Sequence, residues 1–499
     1  MMGYVMKLVL FLLSLALAFA APAAADEREP DIVLAGEITH ADHQTYRDLV
    51  FDVPEGMSRV TVAFSYSGRE ERTTIDLGLR DPAGFRGWSG GNKSRFTVAE
   101  FFATPSYRPG PILPGEWAVV IGVPNIREDV TARYEARIWL DGPDAAPASL
   151  GGPAAAPAPG WRRGDLHTHT GHSDASCANR SGMHVPCPVH VAIEAAIGAG
   201  LDFVAITDHN TATHLNALRE LAPYYDDIVI IPGAEVTTFH GHANVLGATE
   251  WIDFQLSSEA AAFTALLDQA ERTGAIVSVN HPRLPSGEDC MGCGWTGEVD
   301  DWSRVAAIEV VNGATIRRAG TVEHPFSGIP FWEDLLNDGH RITAIGGSDN
   351  HDPAARSGPQ APVGSPATVV WSLEASPSGV LDGIRQGRVF IDIANDPDRL
   401  LDMKATFGER EAVMGAALVS GGAPVEITAE IAGVSAGRAE FIGPEGAVAE
   451  SSLSEAEVSD DRRVVRLTLS AQTMPAWLRV QVRDAEGAIV LLGNPIYFE

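Results

Sequence analysis

Apolar positions change rhythm several times along the chain. Between Asp31 and Leu140 they alternate or cluster over short runs. Examples are Arg59-Val-Thr-Val-Ala-Phe-Ser-Tyr, Thr74-Ile-Asp-Leu-Gly-Leu and Trp117-Ala-Val-Val-Ile-Gly-Val, separated by Gly and Pro turns. A period near two places alternate side chains on one face of a strand. Residues 27–140 are therefore expected to form a β-sandwich-like domain. Residues 141–160 are rich in Ala, Pro and Gly, carry no periodic apolar face, and read as a linker.

From Trp161 to Asn395 short apolar runs end in polar clusters. The strand candidates are Phe203-Val-Ala-Ile, Ile228-Val-Ile-Ile, Ala275-Ile-Val-Ser-Val, Ala307-Ile-Glu-Val-Val and Ile342-Thr-Ala-Ile. Helical patterns at Val189–Ala199, Ser258–Arg272 and Phe331–Asn337 separate some of them. Strand–helix alternation implies an α/β domain at 161–395 with a parallel sheet, open or closed into a barrel. Residues 396–499 return to clean alternation in Val425-Glu-Ile-Thr-Ala-Glu-Ile, Arg463-Val-Val-Arg-Leu-Thr-Leu and Leu478-Arg-Val-Gln-Val-Arg. Half-buried antiparallel strands alternate in this way, so a second sandwich-like domain is expected there.

One apolar stretch belongs to none of these units. Residues 1–25 carry Lys7, the run Leu8–Ala20, and the small residues Ala23-Ala24-Ala25 before Asp26. This is the layout of an export signal, and the apolar run is shorter than the roughly 20 residues a spanning helix needs. A periplasmic or secreted protein is expected, with no stable membrane anchor after cleavage. The four cysteines, Cys177, Cys187, Cys290 and Cys293, suit that setting as disulfides. Three pairings are open, Cys177–Cys187 with Cys290–Cys293 being preferred; the rival reading is a four-thiolate zinc site. Against 36 basic residues stand 66 acidic ones, a formal net charge of −30. That field repels phosphate backbones, so small-molecule substrates are expected rather than nucleic acid. The β domains could add glycan or protein contacts.

Histidine placement carries the chemistry. Thirteen of the fifteen histidines fall between His167 and His351, so both flanking β regions almost lack them. Five clusters follow strand candidates or form part of one: His167-Thr-His169 with Asp174, Asp208-His209-Asn210, Glu235 with His240 and His242, Asn280-His281-Pro-Arg283, and Asp349-Asn350-His351. Residues two apart on a strand point the same way, so an HxH pair can face one cation. Each cluster alone reads as ordinary capping or core polarity. Five strand-end clusters in one α/β domain point to one rim, where such folds bind ligands. Imidazole mixed with carboxylate suits borderline ions such as Zn, Mn or Fe, and more than five donors imply more than one ion. No Gly-x-Ser-x-Gly elbow is present, so a metal-activated water is the expected nucleophile.

Together Asp165-Leu-His-Thr-His-Thr, Ser173-Asp174, Thr207-Asp-His209, Glu235, Asn280-His281-Pro and Ser348-Asp349-x-His351 resemble the ordered motifs of the PHP (polymerase and histidinol phosphatase) superfamily. The resemblance covers Trp161 to Asn395. It implies a distorted (β/α)7 TIM-like barrel with two or three divalent ions at its C-terminal rim, hydrolysing phosphoesters in most members. Carried over position by position, it implies the ligands His167, His169, Asp174, His209, Glu235, His281, Asp349 and His351. His242 is a further ligand candidate, with His240 as its alternate. Arg283 is a candidate clamp for an anionic substrate group. Asn210, Asn280 and Asn350 are candidates for orienting substrate or ligands. Export and flanking β domains look more like the CehA/McbA branch, which contains carbaryl hydrolase, than like polymerase-associated domains. Cysteine-bearing segments at Gly182–Pro188 and Asp289–Thr296 depart from the compact pattern.

Three functions follow from this reading: a phosphoesterase, a carbamate, ester or amide hydrolase at the same metals, and a surface binding protein with a purely structural metal. A closed structural site needs about four ligands, and this donor set exceeds that.

Overall fold

The computed structural model describes residues 28–145, 150, 157–288, 290–354 and 360–499. The expected export signal and residues 146–149 and 151–156 of the expected linker lie outside them. No helix among the described residues is long and apolar enough to cross a membrane.

Two four-stranded antiparallel sheets make up the N-terminal part. One contains Ile32–Ile38, Ala132–Asp141, Arg59–Tyr66 and Arg95–Ala99 in spatial order; the other contains Tyr46–Val53, Gly115–Asn125, Thr74–Asp81 and Gly84–Gly90. Alternate residues such as Val62, Phe96, Trp117 and Val119 meet in one buried cluster. Phe102 and Ala99 carry that region onto the first two helices of the middle part.

The middle part is mixed α/β with much sheet. Its strands are β1 (Pro157–Asp165), β2 (Phe203–Ile206), β3 (Val229–Thr237), β4 (His242–Leu246), β5 (Ile276–Asn280), β6 (Ala307–Asn312) and β7 (Thr343–Gly347). Each is hydrogen-bonded to the next. Just past β1 and β7, Thr168 and Asn350 form a parallel bridge. There His169 N–H donates to the Asn350 carbonyl at 3.1 Å and Asp349 N–H to the His167 carbonyl at 2.9 Å. The sheet thus comes round on itself at the end where the polar clusters sit. It departs from a regular (β/α)7 array: β4 runs antiparallel to both β3 and β5, and among the described residues no α-helix lies between β3 and β4 or between β5 and β6. The chain turns straight back at Gly241, where φ is +141° and an added Cβ would meet the Trp295 ring at 2.3 Å.

Helices α1 (Val189–Gly198), α2 (His214–Leu221), α3 (Ala260–Arg272), α4 (Gly313–Ala319), α5 (Ile329–Asn337) and α6 (Pro377–Gln386) complete this part. The apolar faces of α3 and α5, with Phe263, Leu266, Leu267, Trp332 and Leu336, pack with Val277, Val279 and Ile308 from the strands. Inside the ring Leu166, Phe203, Ile231, Ala307 and Ile345 form a separate cluster. Burying one such side chain is worth about 1.5–3 kcal/mol. Gly164 lies flat against Phe203: an added Cβ would stand 2.2 Å from that ring.

The sheet does not stop at the middle part. From β1 it continues through β8 (Ala367–Glu374) and β9 (Val389–Asp392) into β11 (Ile489–Gly493), which pairs with β10 (Trp477–Arg483). A five-stranded sheet built on Leu400–Phe407, Val425–Ala432 and Arg462–Leu469 packs across it through Leu401, Met403, Ile427, Phe441 and Val480. Val425–Ala432 alternates buried and less buried residues along its whole length. Asn494 fastens this region to the ring. Its side chain accepts from Ala344 N–H at 2.7 Å and donates to the Ala344 and Val389 carbonyls at 2.9 Å each. Buried Asp392 adds ion pairs to Arg163 and Arg399.

The cysteines pair as Cys177–Cys187 and Cys290–Cys293. The first pair closes a hairpin of Ser176–Ala178 with His184–Pro186 beside the rim.

Candidate metal centre

Each strand of the ring but β6 delivers a candidate ligand at or just beyond its rim end. β1 leads into His167 and His169, β2 stops before Thr207-Asp208-His209, and β3 carries Glu235. β4 opens with His242, β5 ends at Asn280 before His281, and β7 ends at Gly347 before Asp349.

Glu235 is fully buried and forms the hub. Its Oε2 lies 2.9 Å from His209 Nδ1, 3.3 Å from His167 Nε2 and 3.5 Å from His169 Nε2. Its Oε1 lies 3.3 Å from His242 Nδ1 and 3.5 Å from His281 Nε2, and accepts from Asn280 Nδ2 at 3.0 Å. Asp349 Oδ1 stands 3.2 Å from His169 Nε2 and 3.3 Å from His167 Nε2. Farther out, Asp174 Oδ1 is 3.4 Å from His351 Nε2 and 3.7 Å from His209 Nε2. His351 Nδ1 is 3.0 Å from the Asp349 carbonyl; donating there leaves Nε2 with its lone pair toward Asp174.

Among the described residues four groups have donor atoms mutually within 4.8 Å: His167 with His169 and Glu235, His167 with His281 and Asp349, His169 with Asp174, His209 and His351, and His242 with His281 and Cys293. Buried polar atoms ordinarily find a partner. Here His167 Nε2, both ring nitrogens of His169, His281 Nδ1 and Glu235 Oε2 are buried with no hydrogen bond. Orphaned imidazole nitrogens facing carboxylates are the donor set a divalent cation completes.

The electrostatics make the same demand for positive charge. Burial alone would raise the Glu235 pKa, but His167 and His209 more than offset it and hold it well below the carboxylate range. Asp349 is likewise held well below, burial being outweighed chiefly by His167, His169 and His351. Burial disfavours charged His167, yet Glu235, Asp349 and Glu309 push its pKa well above the usual value. Against the same opposition, Glu235 and Asp174 take His209 up to about 9. His169 goes the other way, down to about 4, through burial and its neighbours His351 and His209. Without a metal, protons on the imidazoles supply the cationic charge that the carboxylates require.

Sequence reasoning passed over several supports. Glu309, in the apolar run of β6, is buried; its Oε1 accepts from His167 Nδ1 at 2.9 Å, directing His167 Nε2 inward. Its Oε2 accepts from His281 N–H at 3.0 Å and Asn312 Nδ2 at 3.1 Å. A lone carboxylate in an otherwise apolar strand was the available signal. Asp165 accepts from the amides of His167, Ser348 and Gly364, and Asp208 from the Thr170 amide and the Thr170 and Ser173 hydroxyls. Gly347 leaves room for this layer: a Cβ there would stand 2.5 Å from His167 Cβ and 2.6 Å from Glu309 Oε1. Asn210, His281 and Asp349 all have positive φ, at 52°, 26° and 53°. Such strain costs about 1–3 kcal/mol per residue and persists only where neighbours enforce it.

A cavity of about 1210 Å³ opens over the centre, lined by Asp174, His209, Glu235, His242, His281, Asp349 and His351, with Phe239, Phe254, Leu256 and Met291 toward its mouth. Arg318 lines it. Arg283 is exposed and is not among the lining residues. Asn210 lines the cavity while clamping Thr237, accepting from its N–H at 2.8 Å and donating to its carbonyl at 3.0 Å. Asn280 holds Glu235, and Asn350 donates to the Ala361 carbonyl. His240 lines a separate cavity beside Trp295, whereas His242 reaches Glu235.

Fold and site together define a mixed α/β protein with a buried histidine–carboxylate cluster compatible with divalent metal binding. No family model matches the chain, and no curated protein matches it. Among solved structures, it is similar to a two-domain protein from Bacteroides vulgatus ATCC 8482 containing a predicted PHP-like metal-dependent phosphoesterase. Identity is 16%, the match covers 70% of this chain and 97% of that one, and the TM-score is 0.37.

Proposed function

We propose that the chain is an exported, metal-dependent hydrolase of the PHP type, acting on small phosphoesters. The observation that carries this reading is the convergence of His167 and His169, His209 and His281, from three other motifs, on Glu235, with Asp349 of a fifth joined through His167 and His169 and with buried imidazole nitrogens left unbonded around them. His167, His169, Glu235, His281 and Asp349 would hold ions on the inner side, and Asp174, His209 and His351 one on the outer side. His242 stands against Glu235 through Nδ1, its Nε2 lying 3.1 Å from the Met291 carbonyl. Bound there, two or three ions of Zn, Mn or Fe would polarise the bond to be cleaved and supply a water deprotonated near neutral pH.

The chain's own residues do the rest. Asn280 fixes the orientation of Glu235, and Glu309 fixes that of His167. Arg318 supplies the cation for an anionic substrate group, the role first given to Arg283. The apolar mouth at Phe239, Phe254 and Met291 favours a second reading, hydrolysis of a carbamate, ester or amide with an apolar leaving group. Cystine pairing of all four cysteines supports export to an oxidising compartment.

Metal analysis of the purified protein, followed by assays on a phosphomonoester, a phosphodiester, a carboxyl ester and an aryl carbamate with Mn, Zn or Fe, separates these readings. His281→Ala and Asp349→Ala are each expected to lose all activity. Unchanged turnover in both would remove the mechanism.

A further inference from the structure

The proposed hydrolysis leaves the Cys290–Cys293 bridge without a part, although it stands beside the metal centre. Cys293 is fully buried, and its sulfur lies within 4.8 Å of a ring nitrogen on both His242 and His281. The two histidines are themselves within that distance of each other. His281 Nδ1 is buried without a hydrogen bond. Cys290, by contrast, lines the open cavity. The other bridge differs on each count. Cys177 and Cys187 are both buried and, among the described residues, belong to no group of clustered metal donors. Their bridge spans ten residues against three for Cys290–Cys293, so it constrains the unfolded chain more.

We infer that Cys293, once released from its disulfide, forms a metal site with His242 and His281, so that the thiol redox state of the surroundings decides how the centre binds metal. Two imidazoles and a thiolate form a donor set suited to zinc or cobalt. Release needs a reductant, and a dithiol of the thioredoxin class is the kind that fits. One of its thiolates attacks the accessible Cys290 sulfur, forming a mixed disulfide there and expelling Cys293 as a thiolate between the histidines. The second thiol of the reductant then attacks the mixed disulfide. Cys290 leaves as a thiol and the reductant departs as its own disulfide. Two electrons and one proton pass from the monothiolate form of the reductant to the protein, the proton ending on Cys290 and the negative charge on Cys293. The inference rests on the metal-binding reading of this region and is independent of which bond the enzyme cleaves.

The test loads the full chain with Co²⁺ and reads the thiolate-to-cobalt charge-transfer band. Oxidised wild-type protein is expected to bind cobalt without the band. Reduction with a phosphine followed by desalting should create it. Cys290→Ser should show it with no reductant, and Cys293→Ser should lack it in both states. Cobalt retained by the reduced wild type without a band overturns the inference, as does a band that survives in Cys293→Ser. Should Cys290→Ser fail to fold, reduced wild type decides alone. Hydrolysis by the oxidised protein, with no band after reduction, sinks the thiolate site and leaves the hydrolase reading standing. Cobalt bound by no form removes both.

Discussion

The cluster around Glu235 and the group formed by Asp174, His209 and His351 are built from the same residue types and touch each other, yet their surroundings differ. His167, His169 and Glu235 have side chains no more than 1% exposed, whereas His209 and His351 are 24% and Asp174 59% exposed. In the buried set an unpaired charge is costly, since breaking a buried pair costs about 3–5 kcal/mol. Two inner positions are accordingly fixed by a second contact, Glu309 on His167 and Asn280 on Glu235, with Gly347 leaving room for that layer. Asp174 has water as an alternative partner. The difference teaches that one donor chemistry can be built into two settings, a buried floor and a solvent-facing rim.

The sharpest way to break this division is Glu235→Gln. It is expected to lose inner-site metal and on the order of 10³-fold in kcat/KM, since a metal's polarisation is worth several kcal/mol. Metal analysis with kinetics checks it; full metal content would erase the distinction. Glu309→Gln touches no ion, but it frees the tautomer and orientation of His167. A drop of about 10–100-fold in metal affinity is expected by calorimetry.

Proton competition acts in both regions, because the pKa of His167 in the buried set is also raised well above the usual value. A ligating imidazole must be neutral, and His209 in the metal-free chain holds its proton up to about pH 9. Metal affinity at the rim should therefore climb with pH, about tenfold per unit for each proton displaced, and level off above about 9. His169, pushed down to about 4, has no proton to lose in that range. Proton release measured in two buffers of different ionisation enthalpy gives the count. Smallest of all, Asp174→Asn should cost no more than about fivefold in metal affinity, because exposed charge contacts are worth about 1 kcal/mol or less.

What the sequence revealed and concealed follows the same physics. Pairs such as His167-Thr-His169 and Asp349-Asn-His351 were readable from their spacing after apolar runs, although both lie just past their strands and Asp349 takes a positive φ. Strand candidates at Phe203, Ala275, Ala307 and Ile342 fall on observed strands because strand geometry acts on neighbours in the chain. Glu309 was hidden because its role depends on a partner 142 residues away. Arg318 sits on short α4, where nothing local marks it as facing the cavity, while Arg283 looked apt through its place beside His281. The reversed strand β4 was missed because His242–Leu246 reads equally well in either direction; only the turn at Gly241 decides it.

Asn494 has a bearing on how the protein comes to life. A ribosome reaches Asn494, which clamps Ala344 in β7, 150 residues after Ala344 itself. Until then the nascent polypeptide owns every donor but not the fastening of the strand that presents Asp349. The strand that leads to Asp349 thus gains this fastening only when the C-terminal sheet is in place.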